Sequence, residues 1–223
     1  MRFRFVLLCA LFLLSVPALA DDQRYDQVDF SSKAEQQVAN DLMSATMSVE
    51  INGTRAAGVA GQINTTLNAA LKTAAAFSGI KASSGNQHTY PVYGKDNRKL
   101  ESWRGHAEIR LESRDFGKMG ELIAQLQQKM QLQGVQFSIS TETRQQVEDA
   151  LITRAIAAFK QRAKTVTSAM GGVGYKIIHL SINSGGYSRP MLAMAKAAVP
   201  APQFEGGESS MSVQVSGTIQ VTR

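Results

Sequence analysis

Residues 211–221 read Met211-Ser212-Val213-Gln214-Val215-Ser216-Gly217-Thr218-Ile219-Gln220-Val221. Every odd position is apolar or glycine, and every even position is Ser, Gln or Thr. Successive side chains of a strand point to opposite faces, so this stretch is a strand with one face buried and one in water. Antiparallel sheets tolerate that arrangement; parallel sheets are covered on both sides. The same period recurs upstream. Met43, Ala45, Met47, Val49 and Ile51 alternate with Ser44, Thr46, Ser48 and Glu50. Trp103, Gly105, Ala107, Ile109 and Leu111 alternate with Arg104, His106, Glu108, Arg110 and Glu112, so the wet face carries charges of alternating sign. Short alternations at residues 25–32, 135–139 and 178–182, and an irregular strand at 81–93, complete the set.

A sheet with one apolar face needs cover, and three stretches change period to supply it. Val59, Ile63, Leu67, Leu71, Ala74 and Phe77 recur at three- and four-residue steps, the stripe of an amphipathic helix, with Gly79 as its left-handed C-cap. Asp115 caps a second helix with stripe Met119, Leu122, Ile123, Leu126 and Met130, stopped by Gly134. The third and longest has stripe Val147, Leu151, Ala155, Phe159, Ala163, Val166 and Met170 and ends at Gly171-Gly172; Thr143 and Gln146 have capping-box spacing at its start. The fold class is therefore α+β, antiparallel β-sheets packed against three amphipathic helices. Pro190, Pro200, Pro202 and two Gly-Gly pairs break regular structure across residues 183–208, which reads as a long flexible loop. Its apolar residues, Met191 and Met194 among them, make it a segment expected to dock on assembly.

The amino terminus has the three parts of a secretory signal peptide. Arg2 and Arg4 precede an apolar run over residues 6–16, and Ala18-Leu19-Ala20 places small residues where a peptidase cleaves. The run is shorter than the ~20 apolar residues that span a bilayer. Residues 1–20 are thus expected to be removed and 21–223 exported as one α+β domain. Cys9, the only cysteine of the 223 residues, leaves with the signal, so the mature chain has no thiol for disulfides, catalysis or metal binding. The chain carries +6, of which Arg2 and Arg4 account for two, and its basic residues are interleaved with acids. No nucleic-acid surface is expected.

The order of these elements, together with Trp103-Arg104-Gly105-His106, the stretch from Glu108 to Phe116, residues 134–140, the Ala-, Arg- and Lys-rich helix at 155–169 and the strand at 212–221, resembles the SIMPL domain family of secreted bacterial proteins. That family includes periplasmic immunogenic proteins and oxidative-stress defence proteins, and the resemblance covers nearly all of the mature chain. It implies an exported periplasmic protein, associated with the outer membrane in one reading. It also implies self-association into a homo-oligomer and a part in envelope stress tolerance. It brings no catalytic residues. Two departures stand out. Many members carry Gly-x-Gly before the first hairpin and Pro-Asp after it; here Ser32-Lys33-Ala34 and Asn40-Asp41 stand at those places.

The residues themselves suggest little chemistry. Zinc sites need three or four converging ligands, and His88, His106 and His179 show no paired spacing, so neither a metal nor a cofactor is expected. Gly171-Gly172-Val173-Gly174 follows a helix and precedes a strand, the reverse of a phosphate loop. Glu142, Glu148 and Asp149 lack a partner nucleophile and read as a solvated face. No catalytic set is expected, and the protein reads as a non-enzyme. The candidate interaction residues are Tyr90, Tyr93 and Trp103 in one hairpin, with Met191 and Met194 in the long loop. The competing reading is a small-ligand or metal-binding module built on the hairpin aromatics.

Overall fold

The computed structural model describes residues 25–96, 98–188 and 205–223. The elements in chain order are β1 (Gln27–Ala39), β2 (Leu42–Gly53), α1 (Ala56–Ala75), β3 (Ile80–Tyr93), β4 (Leu100–Ser113), α2 (Phe116–Leu126), β5 (Gln131–Ser138), α3 (Thr141–Ala169), β6 (Gly174–Ser188) and β7 (Glu208–Thr222). They form two antiparallel sheets, one ordered β3-β4-β2-β5 and the other β1-β7-β6. The α+β class expected from periodicity is the class observed.

The four-stranded sheet has the split β-α-β arrangement of ferredoxin-like folds: β4 enters between β2 and β3, and α1 and α2 cover the same face. The alternating rows meet the helix stripes as their period requires. Met43, Met47, Ile109 and Leu111 are fully buried against Val59, Ile63, Met119 and Leu122. The second sheet is covered by α3, whose Leu151, Ala155, Phe159 and Ala163 bury the odd-numbered row of β7. Phe159 stacks on Phe30 with ring centres 4.4 Å apart. Gly217, opposite Phe30, leaves room for the Phe159 ring, since a Cβ there would lie 3.1 Å from Phe159 Cζ, and 2.4 Å from the His179 carbonyl oxygen on β6.

Several expected boundaries move. The first strand runs to Ala39, not Ser32, because the whole of β1 pairs with β7 in place of forming a hairpin with β2. α1 ends at Ala75; Gly79, with φ +84°, turns the chain into β3 instead of capping the helix. α2 ends at Leu126, and Gly134 lies inside β5, beside the irregularity where β5 changes register on β2. Ile139 falls outside β5 and is buried in the second core, while Val135 and Phe137 pack on the first. Ser140, not Thr143, caps α3. Met170 caps its other end, 40% exposed, and is not part of the buried stripe. Residues 183–188 are strand and not loop, and residues 189–204 of the expected loop lie outside the described residues. Met191, Met194 and the rest of the expected docking segment lie mostly outside the described residues, as do the signal peptide and Cys9. Gly171-Gly172 does end α3: the Gly172 amide donates to the Thr167 carbonyl and the Gly171 amide to Ser168, with Gly171 at φ +71°.

Candidate functional site

Three places gather polar chemistry. The first is the crossing between the sheets. β1 and β2 alternate alike but enter different sheets, and the chain changes sheet at Asn40-Asp41 and again at Ile139-Ser140. Asp41 accepts from the Ser140 amide at 2.6 Å, the Ser140 hydroxyl at 2.8 Å and the Thr143 hydroxyl at 2.7 Å. Arg114 donates to Ser140 Oγ and to Glu142, each at 2.6 Å, with its Nε 3.8 Å from Asp41. Burial pushes the Asp41 carboxyl up, but the Ser140 amide, the two hydroxyls and the Arg114 guanidinium outweigh it and hold it below its ordinary value. Ser140 is 3% exposed, its proton is given to Asp41, and its oxygen accepts from Arg114 and the Thr143 amide. That saturated arrangement caps α3 and ties it to β2. Beside it, Asn40 donates its amide to the Gly207 carbonyl and its Nδ2 to the Gly206 carbonyl, and accepts from the buried Ser209 hydroxyl.

The second place is the β3–β4 hairpin. Tyr90 and Tyr93 are exposed, whereas Trp103 is half-buried on the first core. Tyr90 pairs with Arg104 on the wet face, and Pro91 pairs with Trp103 on the helix side, so Tyr90 and Trp103 lie on opposite faces. The hairpin aromatics thus share an element but not a surface. Tyr90 stacks instead on His88, ring centres 5.5 Å apart, and His88 lies 5.2 Å from His106. His106 Nε2 is 3.2 Å from Glu108. Sequence spacing misses this pair because the two histidines are joined only by the register of β3 on β4. Among the described residues no group of three or more His, Cys, Asp and Glu is poised to hold a metal. The third place is a groove of about 290 Å³ between the end of α1 and the end of α2, lined by Thr66, Thr73, Gln125, Gln128, Lys129 and neighbouring apolar residues. Its one ionisable group is Lys129.

Among families of known sequence, the one described as SIMPL, a protein of unknown function (DUF541), matches residues 28–219. The chain belongs to the SIMPL family. The match begins inside β1 and ends inside β7, so both sheets and all three helices are part of the SIMPL domain. No curated protein matches the chain. The SIMPL description carries no activity, and the chemistry rests on this chain's own residues. The departure at Asn40 gains a physical meaning here. A proline, as many SIMPL members have, cannot donate to the Gly207 carbonyl; Asn40 does so and adds two side-chain bonds, pinning the start of β7 beside the sheet crossing.

Proposed function

We propose that this SIMPL protein is exported to the periplasm, is not an enzyme, and acts by self-association in support of envelope stress tolerance. The observation that carries the reading is the edge strand β6. Ile177, Ile178 and Ile182 are 39%, 51% and 44% exposed. Ile177 and Ile182 oppose Ile219 and Val215 on the face that α3 covers, but α3 lies over β7 and β1 and reaches β6 far less. Ile178 is the extra residue where β6 slips register between Ile177 and His179. β6 carries one charge, Lys176. Among the described residues no strand pairs with the outer side of β6, and an edge left so is a template for another strand unless charge or cover blunts it. The opposite edge strand is treated differently: Arg162 of α3 donates to the Ser31 carbonyl at 2.6 Å, and Lys33 and Glu35 stand along β1.

Magnitudes favour a strand partner over simple apolar contact. Burying a whole isoleucine contributes about 1.5–3 kcal/mol, so the exposed halves of three supply about 3 kcal/mol per copy. Association costs at least about 4 kcal/mol in lost freedom. Backbone pairing along β6 adds to the apolar term, and contact between two copies doubles it. The leader at residues 1–20 supports export, and the resemblance to oxidative-stress defence proteins supports the stress role. Light scattering on the purified protein across a concentration series tests the reading. The expected result is a mass above one chain that falls to one chain in the Ile178→Lys/Ile182→Lys variant. A single-chain mass at every concentration, or an unchanged larger mass in the variant, overturns it.

A further inference from the structure

The wet face of the four-stranded sheet carries a row of rings, Tyr90, His88 and His106, ending on Glu108. A bulge creates it. Ser84 pairs with Ile109 and Gln87 with Ala107, so Gly85 and Asn86 together face Glu108. The extra residue reverses the parity of β3, and His88 comes to lie directly opposite His106. Gly85 permits the close approach, since a Cβ on it would sit 2.9 Å from the Glu108 Cβ.

We propose that His88 and His106 are the two protein ligands of a late first-row divalent cation, Cu2+ foremost, with Glu108 as the positioning residue. The separation fits. With metal–nitrogen bonds of ~2.1 Å, the ring centres of two imidazoles on adjacent corners of one ion lie roughly 5 Å apart, and these lie 5.2 Å apart. The second partner fits as well. Glu108 engages His106 Nε2, which leaves Nδ1 of that ring to bind, the carboxylate–histidine–metal relation that fixes a ligand's tautomer and orientation. Imidazole nitrogen selects Cu2+, Ni2+ and Zn2+ over Mg2+ and Ca2+, and Cu2+ binds tightest of the divalent series. Two side chains leave the remaining corners to water, as suits an exposed sheet face. Glu108 offsets part of the ion's charge, while Arg104 on the same face is engaged by Glu50, which lies opposite His106 on β2, and by Asn52. Nothing in this site depends on self-association through β6.

The test is titration of the untagged protein with CuCl2, read by calorimetry and by the nitrogen couplings of the Cu2+ electron paramagnetic resonance signal. One ion per chain with two imidazole nitrogens is expected. His88→Ala and His106→Ala each remove one nitrogen and weaken binding at least about tenfold. Glu108→Gln weakens it roughly tenfold while both nitrogens stay. His179→Ala, on the other sheet, changes neither. A second reading needs no variant: substoichiometric Ni2+ should broaden the NMR signals of His88 and His106 before that of His179. Binding no tighter than in the His88→Ala/His106→Ala double variant, or equal broadening of all three histidines, overturns the proposal.

Discussion

Replacing Asp41 with alanine should loosen the joint between the two sheets, and the size of the effect follows from its bonds. The carboxylate accepts three hydrogen bonds of 2.6–2.8 Å, two of them from Ser140. Bonds to a charged acceptor contribute about 1.5–3 kcal/mol each when desolvated. The Asp41 side chain is 30% exposed, so water re-solvates part of what is lost and about 1 kcal/mol per bond is the better figure. Asp41→Ala is therefore expected to destabilise by about 2–4 kcal/mol, moving the urea midpoint down by about 1–2 M. Asp41→Asn keeps one oxygen for the Ser140 amide and should lose about half as much. The pH dependence supplies the sharper test. The folded-state pKa of Asp41 lies below its unfolded value, so its contribution is full above the ordinary carboxylate range and is lost as pH falls through the lowered folded value. The gap between wild type and Asp41→Ala, measured by urea unfolding, should be widest at neutral pH and should narrow in acid as the carboxylate protonates. A gap under about 0.5 kcal/mol at neutral pH, or one of equal size at neutral pH and in strong acid, would refute the reasoning.

Phe159, fully buried and stacked on Phe30, should cost about 3–5 kcal/mol as Phe159→Ala, while the exposed neighbour in Lys160→Ala should stay within about 0.5 kcal/mol; equal losses in thermal unfolding would put the helix phase in error. The Thr167 hydroxyl is buried without a hydrogen-bond partner, so the same-shaped Thr167→Val should raise stability by about 1 kcal/mol, and a measured loss would show that the hydroxyl is satisfied. Asn40→Ala leaves the fully buried Ser209 hydroxyl without its acceptor and should lower the unfolding midpoint by the equivalent of about 1–3 kcal/mol. Mass spectrometry of the exported chain should find Asp21 at its amino terminus and no thiol; recovery of Cys9 in that chain would end the argument for export with cleavage.

Much of the architecture was legible in the residues because it rests on local periods. The two-residue alternation of 43–51, 103–111 and 211–221 settles which side chains are buried, since a strand cannot present neighbouring residues to one face. The three- and four-residue steps of the helix stripes do the same for α1, α2 and α3. Those periods also gave the class, because sheets with one wet face and three amphipathic helices have few ways to close. Periodicity is silent about pairing. β1 and β2 carry similar alternations on either side of Asn40-Asp41, yet one joins β7 and the other β4 and β5. Partner choice depends on contacts between residues far apart in the chain, and no local pattern records them. The same holds for the sites. Asp41 and Ser140 are 99 residues apart, so a capping box at Thr143 looked complete when the cap itself lay at Ser140. His88 and His106 had no paired spacing and meet because one bulge at Gly85-Asn86 turns β3 over. The alternation at 178–182 places Ile178, Leu180 and Ile182 on one face, but the register slip at Ile178 puts Ile177 with Leu180 and Ile182 instead, and alternation does not distinguish a covered sheet centre from an uncovered edge. Only the placement of α3 over β7 and β1 decided that these side chains would meet water.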